Sequence, residues 1–215
     1  TTGKADVGGP LWALGSQWYE RVGDDQIVFV RTVGTDTLCR LDLATGAVTE
    51  IELPGHTSVR LVEAGPDQIL LITTGARVPA GLRRLDVATG ELSDIRASAS
   101  DLPPAELFSP AYATTFDSIG GREVHAVVYP PHSPGLEAPA GELPPYVAFV
   151  HGGPTSQVAP SLSLTYAYYT SRGIGVVDVN YGGSSGFGRA YRDRLRGQWG
   201  VVDVEDTVAA VQGLV

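Results

Sequence analysis

Apolar positions along the first hundred residues come in short bursts, and the bursts repeat. Gln26-Ile-Val-Phe-Val-Arg31, Leu41-Asp-Leu-Ala-Thr-Gly46 and Val48-Thr-Glu-Ile51 return as Gln68-Ile-Leu-Leu-Ile-Thr73, Leu85-Asp-Val-Ala-Thr-Gly90 and Leu92-Ser-Asp-Ile95, offset by 42 at the glutamine and 44 at the aspartate. Each unit predicts short strands joined by an Ala-Thr-Gly turn, where glycine supplies the positive φ of a tight hairpin. An all-β repeat of about 40–45 residues is the period of a propeller blade. Two blades cannot close a propeller, which takes at least four, so a further part is expected before Thr1.

Beyond residue 100 the pattern changes. Pro103-Pro104, Pro130-Pro131, Pro134, Pro139 and Pro144-Pro145 punctuate a passage with two predicted strands, near Tyr112–Phe116 and Val124–Tyr129. The division is placed at 1–108, the last two or so blades of a propeller, and 109–215, a second domain. There Tyr146–Val150 and Ile174–Val179 are continuous apolar runs, which predicts strands buried on both faces of a parallel sheet. Between them Leu162, Tyr166 and Tyr169 have helical spacing within Leu162–Arg172, enough for a right-handed crossover. At the end Asp203 is read as a helix cap, Glu205 and Asp206 suit the positive end of the dipole, and Val204, Val208, Val211 and Val215 form the apolar stripe.

Composition narrows the class. The 215 residues are 43% hydrophobic and only 18% charged, with no apolar run approaching about 18 residues, so a folded chain is expected rather than a disordered or membrane-spanning one. The net charge of −9 divides into −6 over residues 1–110 and −3 over 111–215. Neither half has the positive field that nucleic acid or anionic lipid requires, so neither is expected as a partner. Arg189, Arg192, Arg194 and Arg196 read as a solvated, ion-paired face. Cys39 is the single cysteine, which predicts no intrachain disulfide and a reducing, cytoplasmic location. The chain opens on Thr1 without a charged-then-apolar leader.

The strand Tyr146–Val150 runs into His151-Gly152-Gly153-Pro154. Glycines at the carboxyl edge of a parallel strand let backbone N–H groups face the crevice where open α/β sheets bind ligands. Two readings stand for this loop: a tight turn, or one of the two oxyanion donors of an acyl-transfer site. Gly182-Gly-Ser-Ser-Gly186 matches Gly-x-Ser-x-Gly literally, but Ser184 is rejected as a nucleophile. A nucleophile elbow is a strand-to-helix turn with Asp and then His following it. Here the last histidine, His151, precedes the serine, and Gly188 interrupts any helix. His56, His125 and His132 are scattered singly and read as surface or core residues. Trp12, Trp18 and Trp199 read as packing residues. No phosphate loop or metal-ligand spacing is present, so no cofactor or metal is expected.

Tyr146–Ser156, Ser171–Tyr191 and Arg196–Asp206 together resemble the prolyl oligopeptidase family of serine peptidases, in its acylaminoacyl-peptidase and dipeptidyl-aminopeptidase-like bacterial branch. The resemblance implies β-propeller blades followed by the N-terminal part of an α/β-hydrolase domain, cut before the nucleophile elbow. It implies a Ser-Asp-His triad, none of it in this chain, that cleaves short peptides or N-terminal aminoacyl amides through an acyl-enzyme. By position, Gly153 would give its backbone N–H to the oxyanion. His151 stands where some members place a tyrosine whose hydroxyl is the donor, so its imidazole has no transferable role. Many members have arginine where Gly182 stands, so no side-chain role transfers there either. The implied partners are a short peptide or aminoacyl-amide substrate and the remainder of the same polypeptide, with oligomerisation left open. Two alternatives remain: a hydrolase of esters or non-peptide aminoacyl amides, and a non-catalytic propeller binding module.

Overall fold

The structure is a computed structural model that describes residues 3–9, 14–153 and 155–214; Trp12, Pro154 and Val215, named above, lie outside them. It is mostly β-sheet with few helices. The first sheet holds β1 (Asp6–Val7), β2 (Tyr19–Val22), β3 (Gln26–Val33), β4 (Thr35–Asp42) and β5 (Val48–Ile51), with β1 and β2 sharing one edge of β3. The second is the meander β6 (Ser58–Ala64), β7 (Gln68–Thr74), β8 (Gly81–Asp86) and β9 (Leu92–Ala97). Both are antiparallel throughout and consistent with part of a propeller.

The sequence repeat is a repeat of hydrogen bonds. Gln26 pairs with Asp42 and Gln68 with Asp86, so the same residues open the same ladder. The two extra residues behind the change of offset fall in the β7–β8 connection, where the first unit turns on Gly34 alone. The Asp42 carboxylate accepts from the N–H groups of Ala44 and Thr45 and from the Thr45 hydroxyl; Asp86 does the same with Ala88 and Thr89. Donation from the threonine N–H holds both carboxyl groups below their ordinary pKa. Gly46 and Gly90 close the two turns at φ 73° each, a conformation that costs other residues steric strain.

Alternate strand residues from the two sheets meet in one apolar core, in which Val28, Leu38 and Leu71 are fully buried. Asp36 crosses the seam between the sheets, accepting from the Val59 N–H and the Thr32 and Ser58 hydroxyls. Burial raises its pKa against those bonds.

The third sheet is mixed. It comprises β10 (Tyr112–Asp117), β11 (Glu123–Tyr129), β12 (Tyr146–Val150) and β13 (Gly175–Asn180) in the order β10-β11-β13-β12. Only β12 and β13 are parallel, joined through α1 (Leu164–Thr170). α2 (Arg189–Arg192) and α3 (Val202–Gln212) follow. β13 is buried at every position, and each fully buried valine contributes about 1.5–3 kcal/mol. β12 departs from the expectation: it is an edge strand with Ala148 and Val150 exposed.

The helices also differ from their sequence patterns. α1 starts at Leu164 rather than Leu162, because Ser163 caps it by accepting from the Tyr166 N–H. In α3, Asp203 lies inside the first turn and caps nothing; Val201 is the cap residue. The valine stripe is not the main inward face either, since of its described members only Val211 packs against the core. Val204 and Val208 are about half exposed, while Val202, Asp206 and Ala210 are buried against the sheet. Trp199 is 62% exposed and is not a packing residue among the described residues.

Candidate active site

β12 delivers His151, Gly152 and Gly153 to the carboxyl end of the parallel pair. Gly153 adopts φ 59° and is exposed, as is Gly152. Neither N–H donates a hydrogen bond among the described residues. The Gly153 carbonyl accepts from the Ser156 N–H at 3.2 Å, which turns the chain back over the sheet. The next residues are strapped down by polar contacts. The Asn180 amide accepts from the Val158 N–H at 2.8 Å and donates to its carbonyl at 2.9 Å. Ser161 N–H donates to the Tyr129 hydroxyl and Ser185 N–H to the Ser156 carbonyl.

The structure brings His151 and Ser184 together. Nε2 of His151 lies 2.7 Å from Ser184 Oγ, and Ser184 Oγ lies 2.8 Å from the Tyr181 carbonyl. A carbonyl only accepts, so the Ser184 hydrogen goes to Tyr181 and the imidazole donates from Nε2. That polarity is the reverse of a general base beside a nucleophile, whose ring nitrogen must accept. Nδ1, 3.4 Å from the Gly152 carbonyl, is too far to compete for the ring proton. Burial pushes the imidazole below its ordinary pKa, against smaller opposing pulls from the Gly152 carbonyl and the Asp178 carboxylate, so the ring is neutral near pH 7. Ser184 itself is completely buried. Tyr181 completes the cluster: its ring stacks on His151 at 4.6 Å and its hydroxyl donates to the His151 carbonyl.

Two buried carboxylates back this cluster, and neither was a candidate from sequence. Asp206, with no exposed surface, accepts from the Gly182 N–H at 2.8 Å, from the Ser118 hydroxyl and from Arg122 at 3.3 Å. It fixes the turn that carries Ser184. A Cβ on Gly182 would lie 2.7 Å from Val202 and 2.9 Å from Asp206, and one on Gly183 would lie 2.7 Å from Leu195, so both glycines are set by close approach. Asp178, under the His151 strand end, accepts from the Tyr166 hydroxyl at 2.6 Å; burial raises its pKa. The signal for both was weak: Asp178 is a single acid within an apolar run, where a buried acid demands partners, and Asp206 is one of three acids in Asp203-Val-Glu-Asp206.

The Arg189–Arg196 group is only partly ion-paired. Arg192 bridges to Asp6 and Arg196 to Asp193, whereas Arg194 lies over the Tyr191 ring. His132 bonds the Glu106 carbonyl, and His125 stacks on Phe187. Among the described residues no group of three or more acids, histidines or cysteines could hold a metal ion, and no helix is long and apolar enough to cross a membrane.

The Gly152–Gly153 loop thus lies at the end of a parallel strand and is tied through His151 to the buried Ser184 turn. Residues 160–215 match the model of the Prolyl oligopeptidase family, and the relatives of the chain are serine peptidases of that family. A puromycin-hydrolyzing peptidase of Mycobacterium tuberculosis is 44% identical, with a TM-score of 0.94 over all of this chain and 33% of its own. A second puromycin hydrolase is 43% identical at TM-score 0.91, over 98% of this chain and 32% of its own. Dipeptidyl aminopeptidase BIII of Pseudoxanthomonas mexicana is 26% identical over 97% of this chain and 30% of its own length. The acylamino-acid-releasing enzyme of Arabidopsis thaliana is 41% identical over 33% of this chain and 9% of its own. The chain thus spans no more than about a third of the length of these relatives.

Proposed function

We propose that the chain is part of a serine peptidase that hydrolyses N-terminal aminoacyl amides and short peptides through an acyl-enzyme. In this reading residues 1–108 are propeller blades and 109–215 the start of an α/β-hydrolase domain. The mixed sheet, with its parallel β12–β13 pair and the helix between them, supports that division. Gly153 offers its unengaged N–H to the oxyanion, a contact whose loss typically costs about 3–4 kcal/mol of transition-state stabilisation. The nucleophile, its Asp and its His lie outside residues 1–215. His151, Tyr181 and Ser184 act as a brace: the imidazole ties the strand end to the Ser184 turn and holds the Gly152–Gly153 loop open. Cys39, buried and alone, supports a reducing compartment.

The observation that carries the reading is the whole-chain likeness, at 44% identity, to a puromycin-hydrolyzing peptidase. The same observation favours a second reading of the substrate. Puromycin is the amide of an amino acid with a nucleoside amine, so the amine released need not belong to a peptide. Both substrates require the same carbonyl attack and the same oxyanion donor. A chromogenic aminoacyl-anilide assay tests the function: turnover is expected from the natural full-length protein and none from residues 1–215 alone. Turnover by residues 1–215 that disappears in Ser184→Ala would overturn both the placement of the nucleophile and the brace. Comparing aminoacyl nucleosides with dipeptides on the full-length protein separates the two substrate readings.

A further inference from the structure

A cavity of about 390 Å³ lies two strands across the sheet from the Gly153 loop, where the two halves of the chain meet. Its walls come from both halves: Val33 and Gly34 of the β3–β4 hairpin on one side, β11 and α2 on the other. The seam there is fixed. Gly34 N–H donates to the Gly186 carbonyl at 2.9 Å, and Asp6 accepts from the Gly186 N–H at 2.6 Å and pairs with Arg192. The interior is aromatic. Phe187 stacks on His125 at 4.2 Å and 15°, and Tyr191 leans on both rings.

The polar groups at this cavity are short of partners. Lys4 is exposed and makes no salt bridge or hydrogen bond among the described residues. Arg194 spends one N–H on the Glu123 carbonyl and rests over the Tyr191 ring, but meets no carboxylate. His125 bonds Thr115 through Nδ1 at 2.9 Å, which leaves Nε2 without a hydrogen-bond partner among the described residues. Glu123 is the one acid in the lining. Two cations against one carboxylate leave room for a single negative charge, which argues against a multiply charged phosphate. Flat aromatic walls in a cavity near the lower end of the usual ligand-site range suit a small body with a planar apolar part.

We propose that this cavity binds a small organic monocarboxylate with a flat apolar body: its ring lies against Phe187 and Tyr191, and its carboxylate meets Lys4, Arg194 and His125 Nε2. Because the walls come from both halves, such a ligand bridges them and stabilises their junction by binding only the joined form. The site is independent of the peptidase reading, since it uses none of the residues of the Gly153 loop.

Titration calorimetry of the natural full-length protein with 3-phenylpropionate, and with its neutral amide as control, tests the proposal. Saturable one-to-one binding of the carboxylate is expected, with the amide at least about tenfold weaker, the usual consequence of losing a charged hydrogen bond. Lys4→Glu should weaken the carboxylate by about tenfold and Lys4→Arg should restore it. Lys4 is exposed, so neither change threatens folding. Ala190→Trp, at an exposed wall position, should block the cavity and abolish binding. Equal binding of the amide, binding indifferent to Lys4→Glu and Ala190→Trp, or no saturable binding would overturn the proposal.

Discussion

The repeat half and the mixed sheet solve the same problem, holding strands together, by different means. In the repeat half the interior is a run of Val, Leu and Ile from two antiparallel sheets, and polar groups work at the turns, where Asp42 and Asp86 make matching sets of bonds. In the mixed sheet the apolar interior stops short of the carboxyl end of the parallel strands. There Asp206, Asp178, Asn180, Ser184 and His151 are drawn into the structure and satisfied by named partners. A buried polar cluster costs desolvation and returns a unique geometry when every member is paired. Regular packing suffices for the repeat half, whereas the irregular loops at the ends of the parallel strands are held by bonds with direction.

The sharpest way to break this contrast is Asp206→Ala, which takes the acceptor from the Ser118 hydroxyl and the Gly182 N–H and leaves Arg122 with Glu205 alone. A loss of about 3–5 kcal/mol is expected in denaturant unfolding. In the repeat half Leu71→Ala, at a completely buried site, should cost about 2–5 kcal/mol through its cavity alone. Ser184→Ala should cost less, about 1–3 kcal/mol, since it leaves the half-buried His151 Nε2–H without its acceptor. Faster amide exchange at Ser156 and Ser185, whose N–H groups are bonded to the Gly153 and Ser156 carbonyls, should accompany it and should be absent in Leu71→Ala. Gly46→Ala and Gly90→Ala should each cost about 1–2 kcal/mol and match one another closely, because the two turns are the same structure; a large inequality would break the repeat.

The pH dependence is common to both halves. Burial is the main cause that lowers the pKa of His56 in the repeat half and of His125 and His151 in the other. A histidine whose folded pKa lies below its unfolded value near 6.5 binds its proton more readily when unfolded. Stability from these residues is therefore complete above about pH 6.5 and is lost as pH falls towards the folded pKa values. His151→Gln should flatten part of that acid limb in a thermal melt. An unchanged limb would mean the ring is not held neutral.

Much of the repeat half was legible because the same short apolar bursts and the same Ala-Thr-Gly turn occur twice in it. The pairing of Gln26 with Asp42 and of Gln68 with Asp86 turns a sequence offset into a ladder. The strand entering His151-Gly152-Gly153 was legible as a continuous apolar run, and Tyr146–Val150 is the strand observed. The helix α3 was misread because its buried face is centred on an acid. A valine count points the helix the wrong way when Asp206, held by three donors, takes the interior position. The His151–Ser184 contact joins residues 33 apart through two loops, and no periodicity carries such information. Chain order argued against Ser184 as a nucleophile, but only the hydrogen bond to the Tyr181 carbonyl supplies a physical reason.

The central claim is that Ser184 and His151 brace the loop and do no chemistry. Covalent labelling with a fluorophosphonate, which reacts with activated serines, tests it most directly when the modified peptide is mapped by mass. The account predicts that Ser184 stays unmodified, both in residues 1–215 and in the full-length protein, where the label falls on another serine. A label on Ser184 that is lost in His151→Gln would contradict it.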